Sequence, residues 1–192
     1  MARKKALNEA LIIDAGLQAF NAAGKNPVTL TNIAEKLKVD ETDLYPFIQS
    51  PSDIYNLITH QTNETLAKTY KADKNDTLKD RVFDIMMERL DLLQPYKTDI
   101  ARFMEKMPQN PFSALHLFPD INRSITLMLR LSGEKTNDPA KKLAMTWVYL
   151  STIRIWIKDN TVDNAKTMAH LDRCLTRLES WSEKMPFRKK AA

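Results

Sequence analysis

Apolar residues recur along most of this chain at steps of three and four, the spacing of helices that each bury one face. Leu7, Leu11, Ile12, Ala15, Ala19 and Phe20 form the first stripe, and Gly24 ends it as a residue free to take a positive φ does after a helix. Thr29 is a good N-cap for a short helix carrying Leu30, Ile33, Ala34 and Leu37. Past the turn Lys38-Val39, Asp40 caps a second short helix, predicted from Glu41 to Phe47. Two short helices joined by a tight turn, behind a longer one, make a helix-turn-helix pattern.

Ser50-Pro51 opens a long helix to about Lys71, with the stripe Ile54, Leu57, Ile58 and Leu66. The polar run KADKND that follows is the best boundary in the chain. Asp76 then caps a helix carrying Val82, Phe83, Ile85, Met86, Met87, Leu90 and Leu93, stopped by Pro95. Another runs from Tyr96 to Met107 and stops at Pro108. Pro111 and Pro119 predict short or broken helix from Gln109 to Asp120. Helix resumes from Ile121 to Leu131 and ends at Gly133. Asp138-Pro139 starts a long helix to Asp159, and Asp163 starts the last, to about Glu183. No stretch alternates with period two. The expected fold is all-α: a helix-turn-helix lobe at 1–50, a connecting helix and linker at 51–75, and a larger helical core at 76–192 for ligand binding and dimerisation.

Composition sharpens this. Three glycines in 192 residues disfavour turn-rich β architectures and exclude Gly-rich phosphate loops. The single cysteine, Cys174, forms no internal disulfide and fits a reducing cytoplasm. The basic N-terminus is interrupted by Asn8, Glu9 and Asp14, so it does not read as a signal peptide, and no apolar run is long enough to span a membrane. The net charge is +5, yet residues 1–48 hold six basic and six acidic side chains. A nucleic-acid binder normally concentrates positive charge on its reading lobe.

Candidate chemistry is sparse. His60, His116 and His170 stand far apart, without the spacing of a metal site. Cys174 shares a face with Leu171, Leu175 and Leu178 and reads as a small buried hydrophobe. No catalytic residue, metal or cofactor is expected. Seven of the nine methionines lie between Met86 and Met168. Phe83, Met86, Met87, Leu90, Phe103, Met104, Met107, Phe118, Met128 and Trp147 are the residues expected to line a soft pocket for an apolar small molecule or lipid. Taken one at a time, each is more readily an ordinary core residue than a pocket residue.

The stretch LIIDAGLQAFNAAGKNPVTLTNIAEKLKVDETDLYPFI resembles the DNA-binding lobe of the TetR family. Ile13, Ala15, Leu17, Phe20, Gly24, Thr29, Ile33, Ala34, Val39, Leu44 and Tyr45 carry the likeness in register. The resemblance implies a homodimer through the last two helices, a ligand pocket in the core and operator DNA as partner. The expected contacts are Arg3, Lys4 and Lys5 as a phosphate-tracking arm, with Thr29, Thr31, Lys38, Thr42 and Tyr45 along the reading lobe. Val148, Ile155, Leu171, Leu175 and Leu178 are the expected dimer contacts. The departures cluster where DNA would sit. Lys38 replaces the family's turn glycine, Pro46 falls inside the reading helix, and Asp40, Glu41 and Asp43 give that helix no basic residue.

A second likeness covers the core. RVFDIMMERLDLLQPY and the stretch from Ser132 to Glu179 are similar to the lipid-binding (Coq-nine-like) proteins that assist ubiquinone biosynthesis. Arg89-Leu90, Pro95-Tyr96, Gly133, Asp138, Asp159, Thr167, Leu171-Asp172 and Arg173 carry it. Two functions are therefore expected in competition. One is a ligand-responsive transcriptional regulator. The other is a lipid-binding accessory protein with a vestigial helix-turn-helix. The tail from Trp181 through Met185, Phe187, Arg188, Lys189 and Lys190 mixes rings and cations, as a peripheral membrane contact would.

Overall fold

The computed structural model describes residues 7–24, 26–106, 111–134 and 137–184, and among them every regular element is helical. The elements are α1 (Glu9–Ala23), α2 (Leu30–Leu37), a 3-10 turn (Glu41–Asp43), α3 (Asp53–Thr69), α4 (Leu78–Leu93), a second 3-10 turn (Gln94–Tyr96), α5 (Lys97–Lys106), α6 (Pro111–Leu131), α7 (Pro139–Trp156) and α8 (Ala165–Lys184). They form two compact units, Met1–Gln61 and Thr62–Ala192, so α3 contributes to both and the polar run 71–76 lies within the second. No described helix is long and apolar enough to cross a membrane.

In the first unit Ile12, Ile13, Ala15 and Ala19 of α1 pack with Ile33 and Ala34 of α2, and Leu44, Ile48, Ile54 and Ile58 complete the buried core. Gly16 permits the closest approach: a Cβ there would lie 2.5 Å from Ile54 Cδ1. Asn8 caps α1 by accepting from the Leu11 amide at 2.9 Å. Thr29 and Asn32 cap α2 reciprocally. The turn after α2 is left-handed at Lys38, φ 56° and ψ 45°, a conformation that a side chain other than glycine's adopts at a cost.

The segment expected as a second short helix, Glu41 to Phe47, is instead a three-residue 3-10 turn that continues as irregular turns. Asp40 accepts from the Thr42 amide and Asp43 reaches back to the Asp40 amide, which closes a tight cap on either side of Glu41. Pro46 then supplies no amide hydrogen and crowds the preceding turn, so α-helix does not propagate.

The second unit differs from expectation in the opposite sense. Broken helix was expected between Gln109 and Asp120, yet α6 runs unbroken through Pro119. Pro111 occupies the first helical position, where a missing amide costs nothing. Pro119 itself is exposed. The buried face of α6, Ile125, Met128 and Leu129, meets α4 through Ile85, Met86, Leu90 and Leu93, and α7 through Met145, Val148 and Ile153. From α8, Leu171, Cys174 and Leu175 close the core. Gly133, at φ 83°, ends α6 with Glu134 N donating to the Leu129 carbonyl at 2.9 Å.

The α7–α8 connection is held by Asp159, which is 1% exposed. Its carboxylate accepts from Thr161 N at 3.0 Å, Thr161 Oγ1 at 2.6 Å, and Thr167 N and Oγ1 at 2.8 Å each. Its carbonyl accepts from Lys97 Nζ at 2.5 Å. Burial by itself would raise the Asp159 pKa, but the hydrogen bonds from Thr161 and Thr167 outweigh it and hold the carboxyl well below its ordinary range.

A carboxylate whose folded pKa is depressed contributes stability above its unfolded pKa of about 4, and that contribution is lost as pH falls toward the folded value. Asp159→Asn should cost about 2 kcal/mol at pH 7, since an amide nitrogen would face N–H and O–H donors. Thermal unfolding should show a Tm roughly 4–8 °C lower. The gap between variant and parent should narrow below pH ~4, and a gap constant from pH 7 down to 2 would count against the charge-based account.

Candidate functional site

Two places in the fold carry the residues that sequence singles out. The first is the reading segment of the N-terminal unit. Its hydroxyls are already engaged. Thr29 Oγ1 donates to Asn32 Oδ1 at 2.9 Å, and Thr31 Oγ1 to Glu41 Oε2 at 2.6 Å. Thr42 Oγ1 donates to Asp40 Oδ1 at 2.7 Å, and Tyr45 Oη to Glu41 Oε1 at 3.2 Å. Glu41 thus spans from α2 to Tyr45, and the hydrogen bond with its charge raises the pKa of that half-exposed phenol. Three of the four hydroxyls expected to meet phosphates are held by carboxylates, which repel phosphates. Lys38 forms the left-handed turn with its backbone and leaves its side chain exposed. Arg3, Lys4 and Lys5 lie outside the described residues. Sequence could locate Glu41 but not its partners, because Thr31 is ten residues away.

The second place is the core of the larger unit. Of the expected pocket residues, Met86, Leu90 and Met128 are buried together, and Phe83, Met87, Phe103 and Met104 are partly buried. Phe118 and Trp147 are both 58% exposed and do not join them. The reason for Trp147 is helical phase. Met145, Val148, Tyr149, Thr152 and Trp156 take the inner face of α7, while Leu143, Trp147 and Leu150 form an outer apolar stripe. Met107 lies outside the described residues. The expected dimer contacts are redistributed likewise: Val148, Leu171 and Leu175 are buried within their own core.

At the centre of this core is a cation. Arg89, on the inner face of α4, is 1% exposed. Its Nε donates to Tyr149 Oη at 3.0 Å, Nη1 to Asn63 Oδ1 at 2.5 Å and Nη2 to Ser124 Oγ at 3.1 Å. The Tyr149 ring centroid lies 5.6 Å from the guanidinium carbon. Asn63 Nδ2 donates to Ser124 Oγ at 3.1 Å, and Ser124 Oγ donates to the Asp120 carbonyl at 2.8 Å. One guanidinium therefore joins α3, α4, α6 and α7, and none of its partners is acidic. The likeness that included Arg89 in the sequence gave no sign of its burial or of this neutral cage, since Asn63, Ser124 and Tyr149 come from three other helices.

Two further constellations are structural in character. His170 Nε2 lies 3.1 Å from Ser151 Oγ and 3.5 Å from Cys174 Sγ. Burial, then Arg173 and Arg177, lower the His170 pKa, so the ring is neutral at pH 7. Cys174 is buried, and the Ser151 hydroxyl donates to the Val148 carbonyl at 2.9 Å, so neither is presented as a nucleophile. A cleft of about 590 Å³ opens beside the α7–α8 connection, lined by Asp91, Gln94, Lys97, Thr98, Asn160 and Thr161 among others. Lys97 sits 5.3 Å from the ring centroid of Trp156, whose buried indole nitrogen has no hydrogen-bond partner among the described residues. No group of three potential metal ligands occurs among the described residues.

The comparisons agree with this division. The COQ9 family model matches residues 118–181, about a third of the chain, which includes most of α6, all of α7 and most of α8. No curated protein matches the chain significantly. Among solved structures, a TetR transcriptional regulator from Nitrosomonas europaea ATCC 19718 is similar at 16% identity and TM-score 0.68, over 90% of this chain and 98% of that one. A TetR transcriptional regulator from Rhodococcus sp. RHA1 is similar at 11% identity and TM-score 0.63, over 88% and 93%. Identities this low speak to architecture, and function does not follow from architecture alone. The chain has the all-α fold of TetR regulators, with a COQ9-like segment in its larger unit.

Proposed function

We propose that this protein is a non-enzymatic lipid-binding accessory protein of ubiquinone biosynthesis that keeps the TetR fold without reading DNA. One observation carries the reading: the segment that would enter a DNA groove is a three-residue 3-10 turn, and the hydroxyls of Thr31, Thr42 and Tyr45 in and around it donate to Glu41 and Asp40. Reading helices place a run of side chains along the major groove and neutralise phosphates at its edges. A single turn that carries Glu41 and Asp43 and is capped by Asp40 does neither. The COQ9 match lies in the unit whose methionine-rich core suits a flexible apolar ligand. The protein would work in the cytoplasm, with its basic and aromatic tail touching the membrane from which such a lipid comes.

The second reading, a one-component regulator that binds operator DNA as a homodimer, is favoured by the order and caps of α1 and α2 and by the left-handed turn at Lys38. Ligand would then have to favour one spacing of two reading lobes.

A gel-shift series with operator-length duplexes separates the two. The accessory reading expects no shift even at about 50 mM salt, where phosphate contacts are strongest. The regulator reading expects a shift that weakens when Arg3, Lys4 and Lys5 are replaced by alanine. An organic extract of the purified protein, analysed by mass spectrometry, should contain a quinone or polyprenyl lipid if the accessory reading holds.

Both readings include a homodimer. Leu143, Trp147 and Leu150, exposed at 71%, 58% and 38%, are the contacts that α7 offers to a second copy. Trp147→Glu with Leu143→Glu should shift sedimentation from dimer to monomer at micromolar concentration without altering the helical circular dichroism. A dimer that persists in this variant would place the interface elsewhere.

A further inference from the structure

The Arg89 cage is short of acceptors. The guanidinium carries five N–H groups, and three of them meet Tyr149, Asn63 and Ser124. Two are left without an acceptor among the described residues. Tyr149 is in the same position: its oxygen accepts from Arg89, and its own O–H has no described acceptor. Asn63 and Ser124 have already directed donors at Ser124 and the Asp120 carbonyl. What remains uncommitted around Arg89 is therefore mainly donors, two guanidinium N–H groups and the phenol O–H, around a buried positive charge with no acidic partner among the described residues. Buried charges in folded proteins are normally paired, because leaving water is costly for the ion.

The surroundings specify the rest of the ligand. Met86 lies one turn before Arg89 on α4, Met128 one turn after Ser124 on α6, and Met145 one turn before Tyr149 on α7, and all three are buried. Methionine has three rotatable bonds and repacks readily around an irregular chain. A donor-rich cationic centre inside a deformable apolar shell matches an amphiphile: a long hydrocarbon chain ending in an oxyanion.

We infer that Arg89, with the Tyr149 hydroxyl, is the head-group anchor for an anionic amphiphile bound between α4, α6 and α7. A carboxylate or phosphate head would take up the two free guanidinium N–H groups and the phenol O–H, supplying the missing counter-charge. Its tail would displace the side chains of Met86, Met128 and Met145. This rests on the reading of the larger unit as an apolar-ligand core and adds which end of the ligand is recognised, and by what.

The test uses the full chain and four probes in titration calorimetry: decanoate, decyl phosphate, 1-decanol and acetate. Decanoate and decyl phosphate should bind at least about tenfold more tightly than 1-decanol, the scale of a charge-assisted hydrogen bond. Acetate, with a head and no tail, should not bind. Tyr149→Phe keeps the ring and removes only the hydroxyl, and should reduce the preference for the charged head several-fold. Arg89→Met should abolish the preference for the charged head over 1-decanol. If Arg89→Met does not fold by circular dichroism, Tyr149→Phe decides the matter. Equal affinity for decanoate and 1-decanol in the parent protein would overturn the anchor yet leave the apolar-ligand reading standing. Failure of all the ten-carbon probes to bind would remove both. A head-group preference undiminished in the folded variants would assign recognition to another residue.

Discussion

The burial of Arg89 constrains the larger unit more than any apolar contact does. A guanidinium withdrawn from water costs several kcal/mol unless its donors are met in a fixed geometry. Here those partners come from α3, α4's neighbours α6 and α7, and no two share a helix. The four helices must therefore keep one register relative to each other, because sliding any of them would strand a buried charge. Apolar packing tolerates repacking among leucines and methionines. A polar node of this kind does not, and it fixes the inner face of each helix around one point. The outer face of α7 follows from the same constraint: with Tyr149 turned inward to meet Arg89, Trp147 is turned out.

The α7–α8 connection applies the same principle with the sign reversed. Asp159 is as deeply buried as Arg89, but its four incoming hydrogen bonds satisfy it fully. It is held ionised and has nothing left to offer a ligand. Arg89 has neutral partners and spare donors. The two charges differ in how fully their hydrogen-bonding groups are met, although burial alone makes them alike.

In the N-terminal unit the carboxylates decide the outcome. Glu41 takes hydrogen bonds from Thr31 and Tyr45, and Asp40 from Thr42, so the negative charges are held in place by the very hydroxyls that would otherwise face phosphates. The lobe retains the packing of a helix-turn-helix, with Gly16 letting Ile54 come within contact of α1 and Phe20 stacking obliquely on Tyr55 at 5.7 Å. Core and surface differ here: the interior keeps the architecture, while the exposed edge turns its hydroxyls onto its own carboxylates.

The three- and four-residue spacing of apolar positions, the caps Thr29 and Asp138 and the stops at Gly24 and Gly133 were enough to determine an all-α chain, the positions of nearly all its helices and the likeness to TetR regulators. These are local signals, set by the helical period and by the unpaired amides and carbonyls at helix ends. Wherever the outcome turned on atoms distant in sequence, local signals were silent or misleading. The proline at 119 read as a break because its cost is local, whereas its exposure to water and the packing of α6 on α4 and α7 are not. Glu41 to Phe47 read as a helix because its caps are favourable, whereas Pro46 and the double capping by Asp40 and Asp43 leave only one tight turn. Trp147 and Phe118 read as core because they are aromatic; only the phase fixed by neighbouring helices turns a ring in or out. The neutral cage of Arg89 was beyond sequence altogether, since its members lie 26, 35 and 60 residues from the cation and meet only in the folded bundle.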